Sequence, residues 1–124
     1  LIGSASNRLE LREICITNTT STACVYNLAR CSAAGTPGTS LASVPHDSAD
    51  AAATGIVKQV YTVTPTIGAD FGYRFRIPAT VGAGVIRTFD PGLIVPATAA
   101  AGIALVLTSG TGQLLDVDWT WAEL

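Results

Sequence analysis

Phe71-Gly72-Tyr73-Arg74-Phe75-Arg76-Ile77 places every aromatic or aliphatic side chain on an odd position and both arginines on even ones. Side chains alternate across a strand, so this period of two predicts a strand with one buried and one wet face. The pattern returns near the end of the chain, where Leu115, Val117, Trp119 and Trp121 alternate with Asp116, Asp118 and Thr120. Working outward, residues 9–18, 23–31, 56–64, 85–90, 93–95 and 103–108 are rich in Val, Ile, Thr and aromatic residues, which suit a pleated, half-buried surface. Turn chemistry separates them at Asn18-Thr19-Thr20, Gly35-Thr36-Pro37-Gly38, Pro65-Thr66-Ile67-Gly68, Gly82-Ala83-Gly84, Asp90-Pro91-Gly92 and Gly110-Thr111-Gly112. Turns this frequent leave no room for long helices. The reading is an all-β protein, an antiparallel β-sandwich of about eight strands, with a jelly roll among its forms.

Within residues 9–18 the apolar phase slips, from Leu9 and Leu11 on odd positions to Ile14 and Ile16 on even ones. A bulge, or a strand that changes sheets, accounts for the slip. In a regular strand Glu10 and Glu13 would fall on opposite faces. Residues 32–55 depart from the rhythm, with Ala, Ser, Gly, Thr and Asp predominating around one apolar island at residues 41–44. So long a stretch reads as an edge strand with flanking loops or as an irregular arm reaching a neighbour, with one helical turn expected at residues 49–54. The whole of residues 1–124 is expected to form one domain.

Charged residues make up 13% of the chain and hydrophobic ones 48%, with a net charge of −2. A typical domain has about 25% charge, so this exterior is dry even with 16 Thr and 8 Ser to cover it. Such a surface is expected to be sheltered against neighbours. No basic footprint exists for nucleic acid, and Arg74 and Arg76 beside Tyr73 and Phe75 do not supply one. The 25 uncharged residues from Pro91 to Leu115 are broken by Pro96, Gly102, Gly110 and Gly112 into runs that suit strands better than a membrane helix. The chain opens on Leu1 without a Met and without a visible secretion signal, so residues ahead of Leu1 are expected to have been removed or left out of the numbering.

Catalytic chemistry finds little footing. His46, the single His, lies in Val44-Pro45-His46-Asp47-Ser48, and neighbours along one loop seldom adopt triad geometry. Asp116 and Asp118 share a strand face about 7 Å apart, as polar residues at i and i+2 do on any amphipathic strand. Cys15, Cys24 and Cys31 are odd in number and lack metal-ligand spacing, so they read as buried thiols. If residues 9–18 and 23–31 form a hairpin, Cys15 faces Tyr26 and Cys24 faces Thr17, too far apart for an easy disulfide. The glycine-rich stretches lack the helix and Lys of a phosphate loop. Asn18-Thr19-Thr20 matches a glycosylation acceptor. Trp119 or Trp121 could build a carbohydrate platform, although core packing is the commoner use of such residues. No catalytic, cofactor-binding or metal-binding residue, and no cofactor, is therefore assigned.

The run Leu11-Arg12-Glu13-Ile14-Cys15-Ile16-Thr17-Asn18-Thr19-Thr20-Ser21-Thr22-Ala23, with Val81-Gly82-Ala83-Gly84-Val85-Ile86 and Gly110-Thr111-Gly112-Gln113, resembles small β-sandwich virion proteins of tailed bacteriophages. The likeness spans nearly the whole chain, which is charge-poor, rich in Thr, Ala and Gly, and dense in strands, and it includes no catalytic signature. It implies a non-enzymatic capsid decoration or cement subunit on the capsid exterior, made in the host cytoplasm. Its implied partners are copies of itself, as a trimer, and the major capsid protein, with no nucleic acid and no membrane. A head fibre or tail component is the alternative within the resemblance. A carbohydrate-binding β-sandwich module is the alternative outside it.

Overall fold

The computed structural model describes residues 1–32, 35–111 and 113–124, with backbone only at Pro37 and Gly38. The fold is all-β, and among the described residues there is no helix. Eight strands form, β1 (Leu9–Asn18), β2 (Cys24–Cys31), β3 (Thr36–Leu41), β4 (Val57–Val63), β5 (Ile67–Ile77), β6 (Gly84–Val95), β7 (Gly102–Ser109) and β8 (Leu115–Glu123). They build two three-stranded antiparallel sheets, ordered β6-β1-β8 and β5-β2-β7, and a two-stranded ribbon, β3-β4. The inner faces of the two larger sheets share one core, in which Leu9, Leu11, Ile14 and Ile16 of β1 meet Leu28 of β2 and Phe75 of β5.

The phase slip in β1 is a bulge. Leu11 pairs with Leu93 and Trp121, Glu13 pairs with Thr88 and Thr120, and Arg12 is left unpaired on both sides. The extra residue resets the alternation, so Leu9, Leu11, Ile14 and Ile16 are all fully buried. It also corrects the placement of Glu10 and Glu13, which share the outer face. Glu10 is held there by Arg12 at 2.8 Å and by the Gly92 N–H, which donates to Oε1 at 3.0 Å.

Several boundaries differ from the sequence reading. Residues 85–90 and 93–95 are one strand, because β6 continues through Asp90-Pro91-Gly92 opposite the bulge of β1. Gly35-Thr36-Pro37-Gly38 is no turn: β3 begins at Thr36 and is the edge strand offered as one reading of the 32–55 stretch, and an edge strand tolerates Pro. Likewise β5 starts at Ile67, within the expected turn 65–68. Residues 49–54 form no helical turn; the chain turns at Ser48 and Ala49, where the Asp50 N–H donates to the Asp47 carbonyl, and then runs on irregularly. Gly82 and Gly110 occupy turns with φ of 82° and 96°, the region that favours glycine. Gly112 of the last expected turn lies outside the described residues, as do Ala33 and Ala34 of the 32–55 stretch.

β1 and β2 do not form a hairpin. They lie in different sheets, and Cys15 sits opposite Asp118 and Ile86 instead of Tyr26. Asn18 organises the crossing: its Nδ2 donates to the Thr22 and Pro78 carbonyls, each at 2.9 Å, and its Oδ1 accepts from the Thr20 N–H at 2.9 Å. The side chain is fully buried. This use of the amide leaves nothing for the glycosylation match at Asn18-Thr19-Thr20. Among the described residues no helix is long and apolar enough to cross a membrane.

Candidate functional site

A sandwich of two sheets has two seams where edge strands approach, and here they differ. At the β5/β6 seam Tyr73 and Phe89 meet edge to face with centroids 5.2 Å apart. The Arg87 guanidinium covers Tyr73 at 4.6 Å, and that of Arg30 covers Phe71 at 4.8 Å while donating to the Ile94 carbonyl at 2.9 Å. Cations over ring faces close this side with polar caps on an apolar seam.

The β7/β8 seam is open. Leu105 and Leu107 of β7 and Leu115, Val117 and Trp119 of β8 point inward, yet all five are only half-buried. They border a cleft of about 690 Å³ whose other wall is the 57–61 segment of β4. Lys58 is the one charged side chain among the described lining residues. Apolar exposure continues around it, with Leu114 at 79%, Val60 at 71% and Val63 at 58%. Val60 also has φ of 52°, a strained value for a β-branched residue. The row Leu115-Val117-Trp119-Trp121 was legible as the inward face of a strand, but its incomplete cover was not.

A second cleft, about 600 Å³, lies at the other end of β8 between Trp119, Trp121 and the loop that carries His46, Asp50 and Thr54. Glu123 anchors it. Its Oε1 accepts from the Thr54 N–H at 2.6 Å and the Gly55 N–H at 2.8 Å, and its Oε2 accepts from the Thr54 hydroxyl at 2.7 Å and Asn7 Nδ2 at 3.0 Å. Partial burial alone would raise the Glu123 pKa, but the donors from Gly55, Thr54 and Asn7 outweigh it and bring the carboxyl down to about 2. Glu123 thus pins three chain segments together with its acceptor capacity used up. Nothing in the sequence around Glu123 marked it, since its partners come from residues 7 and 54–55.

The residues singled out in the sequence are dispersed. His46 is exposed at the rim of the second cleft, and Asp47 accepts from the Ala49 N–H at 2.9 Å in a local turn, so His46, Asp47 and Ser48 form no triad geometry. Asp116 and Asp118 stand exposed on the outer face beside Thr17 and Cys15. Arg74 pairs with Asp70 at 2.8 Å; the Gly72 N–H and that guanidinium hold the Asp70 carboxyl below its ordinary value. Tyr73 and Phe75 point into the sandwich, on the face opposite Arg74 and Arg76, and form no stacking platform with them. Cys24 and Cys31 are buried thiols as expected, and burial pushes the Cys31 thiol up. Cys15 departs from that reading, being half-exposed on the outer face, where the strand places odd residues after the bulge. Among the described residues no group of three or more His, Cys, Asp or Glu gathers.

No family model, curated protein or solved structure matches the chain.

Proposed function

We propose that the protein is a non-enzymatic structural virion subunit, a capsid decoration or cement protein that binds and stabilises a phage shell. The phage assignment rests on the sequence resemblance alone. The assembly function rests on one observation, the open and almost uncharged β7/β8 seam with its half-buried row on β8. Interface cores are depleted of charge and rich in apolar and aromatic side chains, as this seam is. The subunit works as a homo-oligomer, a trimer by preference, seated on the major capsid protein. Cryo-EM of native particles tests this: a small β-sandwich on the capsid exterior is the expected result. Density confined to a fibre or the tail would move the assignment there, and absence of the protein from purified particles would end it.

A second reading, a carbohydrate-binding module, is favoured by the second cleft, where Trp119 and Trp121 share a wall with His46 and Asp50. Against it, Trp121 Nε1 is directed at Glu123 Oε1, 3.5 Å away, and Glu123 is saturated by the protein itself. A titration of oligosaccharides followed by Trp fluorescence separates the two: saturable binding lost in His46→Ala and Trp121→Ala supports the module, and an unresponsive spectrum supports the assembly subunit.

A further inference from the structure

Aromatic rings at the border of the sandwich are treated in two ways. At the β5/β6 seam Phe71 and Tyr73 are each capped by a guanidinium of the chain itself, Arg30 at 4.8 Å and Arg87 at 4.6 Å. Trp119 and Trp121, which line the second cleft, have no such cap. Among the described residues no Arg or Lys lies over either indole, and none lines the cleft. A cation over an aromatic face is attracted by the ring quadrupole, and most strongly over Trp. The two indoles are therefore left without the counterpart that the chain gives its other seam.

The charge of this cleft is uncompensated as well. Glu123 accepts from the Thr54 and Gly55 N–H groups, the Thr54 hydroxyl and Asn7 Nδ2, and each of these donors is neutral. Partial burial raises the Glu123 pKa, but the donors outweigh it and bring the carboxyl down to about 2. They hold the carboxylate ionised without cancelling its charge. Asp50, exposed on the loop that forms the facing wall, adds a second carboxylate. Among the described residues neither acid forms an ion pair, and the exposed His46, the one basic side chain of the lining, pairs with neither.

We propose that the second cleft binds an organic cation, a quaternary ammonium or a guanidinium group, against Trp119 and Trp121, with Glu123 and Asp50 supplying the negative field. The volume of about 600 Å³ lies within the roughly 300–1,000 Å³ of ligand clefts. The lone pairs of Glu123 are taken by the protein, so the cation is drawn to its charge without a new hydrogen bond. A quaternary ammonium, which has no N–H, therefore suits the cleft. An anion is repelled by both carboxylates, and a neutral sugar leaves their charge uncompensated. A free ligand and a side chain presented by a partner offer the same chemistry here. The proposal is independent of the assembly reading, which rests on the other cleft.

The probes are choline, its neutral isostere with carbon in place of the nitrogen, and the doubly capped amino acid N-acetylarginine amide. Each is titrated into the whole chain and followed by Trp emission and by the indole N–H resonances of Trp119 and Trp121. Choline should bind saturably and about fivefold or more tightly than the isostere, the factor that about 1 kcal/mol of cation–π attraction gives. Asp50→Asn, at an exposed position, should weaken choline and leave the isostere unchanged. Ala52→Lys sets a competing cation on the exposed loop wall and should abolish choline binding. Tighter binding of choline than of the arginine amide assigns the cation to a free ligand, the reverse order assigns it to a partner's side chain, and both orders support the proposal. Equal binding of choline and its isostere, choline binding unchanged in both variants, or no response of either indole would overturn it. So would saturable binding of a neutral oligosaccharide that choline does not displace, which gives the cleft to the carbohydrate reading. The experiment uses no particles, so an unresponsive cleft counts against this inference, and absence from virions counts against the assembly reading.

Discussion

Leu11 and Ile14 are both fully buried although they stand three residues apart on one strand, because Arg12 is pushed out of register against both neighbours of β1. Deleting Arg12 removes the extra residue and leaves Leu9, Leu11, Ile14 and Ile16 in one strict alternation, so all four keep the inner face. Their burial is retained, and the deletion should cost no more than an ordinary substitution, about 0.5–3 kcal/mol. Arg12→Ala keeps the bulge and loses only a partly exposed ion pair with Glu10, at less than about 1 kcal/mol. Urea titrations of the two variants check this: both should unfold cooperatively, and a deletion that leaves no cooperative transition would show that the bulge does more than reset the alternation.

That bulge was legible in the sequence because a two-residue period records every change of phase, and the two clean strands were legible for the same reason. An edge strand within residues 32–55 was legible as one of two alternatives, but the bounds of β3 were not, because Pro37 and Gly38 carry turn chemistry that an edge ribbon also tolerates. The continuity of β6 was hidden by Asp90-Pro91-Gly92, whose place opposite the β1 bulge depends on pairing between distant residues. The clefts were out of reach of sequence reasoning: the larger is made by Leu1, β4, β7 and β8, which periodicity does not relate to one another. Asn18 shows the limit on motifs, since its tripeptide matches an acceptor site while its amide is consumed by Thr22 and Pro78.

Ile14 and Trp119, paired across β1 and β8, should differ in energetic weight. Ile14, fully buried opposite Trp119, should cost about 2–5 kcal/mol on change to Ala. Trp119→Ala should cost less than the 3–5 kcal/mol of a fully buried aromatic, about 2, because its side chain borders an open cleft. Asp118→Ala should stay within about 0.5 kcal/mol. Thermal and urea unfolding provide the ranking, and a Trp119→Ala cost above that of Ile14→Ala would mean that the seam is closed in solution.

Glu123 makes stability depend on acid. Its folded pKa, about 2, lies below the ordinary 4.5, so its contribution is complete above the unfolded value and is lost as pH falls through the folded one. With solvent screening allowed for, the loss is of the order of 1 kcal/mol. Melting temperature should fall between pH 4.5 and about 2 in the wild type and fall less steeply in Glu123→Gln. Parallel curves would show that the carboxylate does not carry the pinning of Asn7, Thr54 and Gly55.

The ribbon should be separable from the sandwich. Removing residues 37–53 takes most of β3 and leaves β4 without its ladder partner, but it breaks no pairing within either three-stranded sheet. Circular dichroism should remain that of a β protein with cooperative melting, while binding to particles weakens. Loss of cooperative unfolding would show that the ribbon belongs to the core.

Association through uncharged surfaces is the central claim, and sedimentation velocity of the purified protein tests it most directly, at about 0.05 M and about 1 M salt, where the Debye length falls to roughly 3 Å. Exposed ion pairs lose most of their attraction under the second condition and apolar burial does not. The expected result is an oligomer, a trimer by preference, whose sedimentation coefficient is the same at both salt concentrations. A monomer under both conditions, or an oligomer that dissociates in high salt, would contradict the claim.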